Sequence, residues 1–234
     1  MKNQYFGDRR DYVKYDLLLD LVDCRPNRRV TYIPMLTNND DSYEGLKTTF
    51  QAGCRRTTVH NFLQGAVANG QRDIRMNRQL MLEHKIEFMP YCDDCYFDAR
   101  FRREYFDKIP TDWLGDSLVF IDPDIGLKPA SMGEEAALTS EKYLLNSDVQ
   151  SVFQRMSEES ILFIYQHLQR NAMRRLDDLA RKLSDLIDTL ICEHVAAIAQ
   201  SDVAFLIVVR DEGIARQVES TLEHHAMRHG MFTL

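Results

Sequence analysis

The 234-residue chain has no apolar run approaching the ~18 residues that a membrane helix requires, and Met1 to Asp8 contain no apolar core of a secretory signal. A cytoplasmic protein with no membrane partner is the expectation. Six prolines and ten glycines are too few for a collagenous or low-complexity chain, and 44% hydrophobic residues are too many for a disordered one. The five cysteines are an odd number, which argues against a disulfide framework. Only Cys92-Asp93-Asp94-Cys95 has ligand-like spacing. No second such pair completes a four-ligand zinc site, short of recruiting Cys54, His60 or His84. The two acids between the thiols weaken their thiolates and argue against redox use. Positive charge is also in deficit, with 29 Lys and Arg against 36 Asp and Glu and a net charge of −7. That removes any global pull on phosphates. Nucleic acid would have to be met by local basic patches, Arg100-Phe101-Arg102-Arg103 or Arg170 with Arg174-Arg175, which otherwise read as solvated helix faces.

What the chain does have is a regular alternation of helices and strands. Asp11 to Val22 is apolar enough for a buried helix, and Arg29 to Leu36 reads as a strand followed by the polar turn Thr37 to Ser42. Helices are predicted around Thr58–Val67, Ile74–His84 and Asp98–Ile109, with a strand at Lys85–Tyr91. Asp116 to Asp122 and Ser160 to Tyr165 are continuously apolar strands separated by a helix at Ser147–Met156. That order makes a parallel β-α-β unit. Asn171–Ile191 carries a stripe of Leu176, Leu179, Leu183, Leu186, Ile187 and Leu190, read as core packing. Strands at 194–198 and 204–209 lie close enough for an antiparallel pair, and a helix over Gly213–His229 closes the chain. His224, His225 and His229 near its end suggest a metal, but no carboxylate accompanies them in sequence, so they read as partners of the helix C-terminus. The expected fold is a single α/β domain over residues 1–234. It has three layers, a mostly parallel Rossmann-like sheet, a C-terminal antiparallel strand pair, and a helical or irregular insertion around 45–115.

Open parallel sheets bind ligands at the carboxyl ends of their strands. There the sequence offers Asp122-Pro123-Asp124-Ile125-Gly126 after one strand, Gln166-His167 after another, and Asn38, Asn39, Asp40 and Asp41 after a third. Asp-Pro is an ordinary turn initiator, and a lone histidine is usually structural. Polar groups converging from several strand ends are what mark a site. Ahead of the first helix, Asp8 is placed as its N-cap and Lys14 lies three residues from Asp11. A lysine among Tyr12, Tyr15, Leu17 and Leu18 would be partly buried and would need an anionic partner.

Several phrases carry a resemblance: Gln4-Tyr5-Phe6-Gly7-Asp8 with Asp11-Tyr12, Lys14-Tyr15 and Leu17-Leu18; Met35-Leu36-Thr37 with Asp40; Val119 to Asp124 with Gly126; Lys142-Tyr143-Leu144; Tyr165-Gln166-His167; and Val203 to Val209. From Asn3 to about Val209, and most weakly through 45–115, the chain resembles a family of uncharacterised bacterial and phage proteins that read DPDNG at Asp122–Gly126. More distantly it is similar to class I S-adenosylmethionine-dependent methyltransferases of the ribosomal-RNA adenine type, which place D-P-P-[YF] after a central strand. In this chain Asp124 and Ile125 stand at the last two of those positions, and Thr37 to Asp41 at the place of a glycine-rich turn.

That similarity implies an S-adenosylmethionine cofactor and a nucleic-acid substrate whose base is flipped into the pocket. It implies Asp122, Asp124, His167 and Lys14 as catalytic residues, with Asp122 accepting from the target amine. Asp8, Asp11, Asn39, Asp40, Pro123, Gly126 and Gln166 would form the cofactor surface. The same acids could instead hold magnesium, with Lys14 and His167 handling a phosphate, as in a nuclease or phosphoesterase. A third reading is a catalytically degenerate binding protein in phage–host conflict.

Overall fold

Asp8 begins the first helix by accepting hydrogen bonds from the main-chain nitrogens of Arg10 and Asp11 at 2.8 and 3.0 Å, the cap that its position predicts. That helix, α1 (Arg9–Asp23), is buried at every position from Asp11 to Val22, so it is an interior rod rather than an amphipathic surface helix. The computed structural model describes residues 1–41, 43, 45, 48, 56–168 and 172–234. Cys54 and Arg170, both singled out above, lie outside them.

In chain order the strands are β1 (Arg29–Pro34), β2 (Glu87–Pro90), β3 (Leu118–Asp122), β4 (Gly126–Leu127), β5 (Tyr143–Leu144), β6 (Ile161–His167), β7 (Val195–Gln200), β8 (Val203–Val209) and β9 (Phe232–Thr233). The later helices are α2 (Thr57–Ala68), α3 (Asn77–Glu83), α4 (Arg102–Asp107), α5 (Glu134–Leu138), α6 (Asn146–Phe153), α7 (Ala172–Leu190) and α8 (Glu212–His229). Seven strands form one sheet in the order β2-β1-β3-β6-β8-β7-β9, and β4 with β5 forms a short parallel pair. The first four strands of that order are mutually parallel, with Ile33 opposite Ile121 and Ile121 opposite Ile164. β8 then runs antiparallel between β6 and β7. The chain is therefore α/β with a mostly parallel, Rossmann-like mixed sheet closed by a C-terminal hairpin.

Burial on both faces explains the continuous apolar runs of β3, β6 and β8. Side chains alternate between two cores. Phe120, Phe163 and Phe205 point to the face covered by α1 and α8, with ring centroids 4.9 and 5.2 Å apart along the ladder. Val119, Ile121, Leu162, Ile164 and Leu206 point to the other, packing with Phe106 of α4, Val149 of α6, and Leu179 and Leu186 of α7. Each such side chain stabilises the fold by about 1.5–3 kcal/mol. These are the three layers expected from the sequence.

Details differ from the sequence reading. Gln166 and His167 are the last residues of β6 rather than the turn after it. On α7, Leu176 and Ile187 keep 49% and 37% of their surface, because that helix presents a narrower stripe to the core than its leucines suggest. The 45–115 stretch supplies β2, an edge strand of the main sheet. Among the described residues no helix is long and apolar enough to cross a membrane.

Candidate active site at the carboxyl ends of three parallel strands

β1, β3 and β6 are adjacent, and their carboxyl ends open on a cavity of about 600 Å³. Its floor is an ionic triad of a kind rarely found in a core. Lys14, on the sheet-facing side of α1, is 1% exposed. Its ammonium lies 2.6 Å from Asp11 Oδ1 and 2.9 Å from Asp122 Oδ2. The rings of Tyr15, Tyr165 and Phe120 surround it, with centroids 5.1 to 5.8 Å away. Burial pulls the lysine pKa down, yet the two carboxylates outweigh it and hold that pKa well above its usual value. Asp122 also accepts a hydrogen bond from the Tyr32 hydroxyl at 2.9 Å. Breaking such a buried pair by removing one partner costs about 3–5 kcal/mol, so this arrangement fixes α1 against the sheet.

The wall comes from the turn after β3. Pro123, Asp124 and Ile125 line the cavity, whereas Asp122 lies beneath them. The turn is held from three sides: Ile125 N donates to Lys142 O at 3.0 Å, His167 N donates to Ile125 O at 2.6 Å, and Leu127 N donates to Gln166 Oε1 at 2.9 Å. Gly126 has φ +126°, and a Cβ there would lie 2.6 Å from the Gln166 side chain. Gly126 and Gln166 thus support the wall from behind. Asp124, so positioned, keeps a buried Oδ1 that accepts no hydrogen bond. The Lys2 ammonium stands 3.5 Å from its Oδ2.

The third side is the segment ahead of α1. Lys2 forms an ion pair with Asp40, Gln4 N donates to Asn39 Oδ1 at 3.1 Å, and Asp40 N donates to Gln4 Oε1 at 2.8 Å. The N-terminal residues therefore strap the turn after β1, and Lys2 bridges Asp40 and Asp124. Burial and the neighbouring Asp11 push the Asp8 carboxyl up to about 7, against the hydrogen bonds of the helix start. Burial likewise raises Asp11.

Of the residues singled out from the sequence, Asp8, Asp11, Lys14, Asp40, Pro123, Asp124 and His167 line one cavity. Asp122 lies under its floor, Gly126 and Gln166 behind its wall, and Asn39 in the strapped turn. Sequence reasoning missed Lys2, Arg10, Lys142 and Tyr165, which also line it. Lys142 and Tyr165 stood in quoted phrases and carried a usable signal. Lys2 did not, because only the fold brings it to Asp124. The basic patches are largely committed: Arg102 is buried on Asp148, and Arg100 and Arg103 pair with Asp98 and Asp107. In the CxxC loop, Asp93 is tied to Arg78 at 2.8 Å.

No protein-family model matches the chain, and none of the curated proteins matches it in sequence.

Proposed function

We propose that the protein is an S-adenosylmethionine-dependent methyltransferase acting on an amino group of a nucleic-acid base. The observation that carries this reading is Asp124. It is a buried carboxylate in the turn after a central parallel strand, on the cavity wall, with one oxygen that accepts no hydrogen bond and has the Met1 ammonium only at 3.8 Å. Leaving such an acceptor unmet costs about 1–3 kcal/mol, and an N–H of a substrate amine would meet it. The methyltransferase resemblance points to the same turn; Asp122 also keeps one unpaired buried oxygen, but Asp124 is the one that lines the cavity.

The rest of the cavity suits a zwitterionic nucleoside. Its volume falls within the usual ligand range of ~300–1,000 Å³, and its lining mixes Asp8, Asp11, Asp40 and Asp124 with Lys2, Arg10, Lys14 and Lys142. Lys142 would face a carboxylate, and Asp8 would face ribose hydroxyls or an ammonium. When bound, S-adenosylmethionine supplies the methyl group. The protein's part is to orient the amine on Asp124, to accept its proton through His167 or Asp8, and to keep Lys14 from competing by pairing it with Asp11 and Asp122. The magnesium reading is weaker on the same geometry, because Lys2 already stands between Asp40 and Asp124, and Lys14 between Asp11 and Asp122.

Calorimetry should detect S-adenosylmethionine binding, and labelled methyl transfer to a panel of DNA, ribosomal RNA and transfer RNA should fall about a hundredfold in Asp124→Asn. Absence of binding at millimolar cofactor overturns the proposal. Magnesium-dependent cleavage lost in Asp124→Asn would assign the nuclease instead, and binding without transfer would assign the degenerate binding protein.

A further inference from the structure

On the far side of α1 from Lys14 lies a second cluster of ionisable side chains. Asp16 and Asp20 are one turn apart on that face, roughly half a revolution from Asp11 and Lys14 at about 100° per residue. Opposite them, His225 and His229 are one turn apart on α8. The two imidazoles stack with centroids 4.2 Å apart. His225 and Asp16 are fully buried, and His229 nearly so.

The hydrogen bonds of this cluster do not close. His225 Nδ1 lies 2.7 Å from Asp20 Oδ2, and Asp20 is further held by Arg56 and Arg228. With the proton on Nδ1, the other ring nitrogen carries a lone pair. That nitrogen, His225 Nε2, is buried and has no hydrogen-bond partner. His229 Nε2 and both oxygens of Asp16 are in the same state. His229 Nε2 approaches Asp16 Oδ2 to 2.8 Å without the alignment of a hydrogen bond, and Arg56 Nε reaches Asp16 Oδ1 only at 3.5 Å. Four buried polar atoms thus converge with no hydrogen bond among them, and one donor atom from each of the three residues falls within 4.8 Å of the others.

We propose that Asp16, His225 and His229 form a binding site for a zinc-type divalent transition-metal ion, which pins α1 to α8. The chemistry of the donors selects the ion: two imidazole nitrogens and one carboxylate are the ligand set of zinc rather than of calcium or magnesium, which take mostly oxygen. Nitrogen and oxygen ligands at ~2.0–2.2 Å stand roughly 3.4 Å apart around a tetrahedral ion, so the separations here need only side-chain adjustment. Asp20 is the outer partner. A carboxylate on the far nitrogen of a ligating histidine fixes its tautomer and raises its basicity, and Asp20 occupies that position on His225. Three protein ligands leave a fourth place for water or for the second oxygen of Asp16.

The test uses the full-length chain, freed of metal with a chelator and then dialysed against zinc. Elemental analysis is expected to find one zinc per chain. Cys92→Ser/Cys95→Ser should retain it, and His225→Gln and His229→Gln should each lose it. Asp20→Asn should weaken binding ~10–100-fold. Cobalt added to the wild-type protein should give the visible bands of a tetrahedral nitrogen–oxygen site, a readout that stands even if a histidine variant fails to fold. The proposal is overturned by a wild-type protein that retains no zinc, by zinc that leaves with the cysteines and not with the histidines, or by a cobalt spectrum carrying a thiolate charge-transfer band.

Discussion

Asp8 is asked to do two opposing things. As an N-cap it is best ionised, because its oxygens accept main-chain N–H groups at the positive end of a helix. As a buried neighbour of Asp11 it is best protonated, and its pKa in the folded protein rises from 3.8 to about 7. A carboxyl that binds its proton more tightly when folded contributes stability below its unfolded value and loses it as the pH rises through the folded one. Asp8 should therefore lower the unfolding free energy by up to about 1.4 kcal/mol per pH unit between pH 3.8 and about 7. Asparagine caps helices equally well and does not titrate. Urea denaturation across that range should accordingly show a shallower decline in Asp8→Asn than in wild type. Parallel curves for the two proteins would mean that Asp8 stays ionised when folded.

At the scale of elements, the turn between β3 and β4 is the most constrained piece of the site. Its conformation rests on Gly126, whose φ of +126° suits no side chain and whose missing Cβ leaves room for Gln166. Gly126→Ala should destabilise the protein by about 1–3 kcal/mol, read as a lowered urea midpoint. Adding Gln166→Ala should recover little, since the backbone strain remains. Full recovery in the double variant would show that crowding alone was at stake. The elements were largely legible in sequence for a simple reason. Strands buried on both faces, such as β3, β6 and β8, write themselves as unbroken apolar runs, and Asp8 announced its helix by capping chemistry. Pairings were less legible. That Lys14 needed an anion followed from its apolar neighbours, but that Asp122 supplies it does not. His225 and His229 lacked carboxylate company in sequence because Asp20 lies 205 positions away from His225. Neither β9 nor the β4–β5 pair was foreseen, being two residues each and carrying no periodicity.

For the whole molecule, the hairpin decides whether the sheet has a safe edge. β6 is apolar along most of its length and pairs through all seven residues with β8. Deleting residues 195–234 would expose β6 as a long apolar edge, the kind of surface that recruits other chains. The truncated protein should elute from size-exclusion chromatography as large aggregates or fail to accumulate as soluble material. A soluble monomer with native-like circular dichroism would refute this account of β8. The site depends on the same architecture, because only the parallel half of the sheet brings β1, β3 and β6 to one rim.

One helix links these observations. Asp11 and Lys14 face the sheet, Asp16 and Asp20 face α8, and all twelve residues from Asp11 to Val22 are buried. The five helical steps from Asp11 to Asp16 span roughly 7.5 Å of axis. α1 is thus a short shaft with a handle on each side, tied through Lys14 to β3 and through Asp20 to α8, so a tilt of its axis would disturb both ties at once.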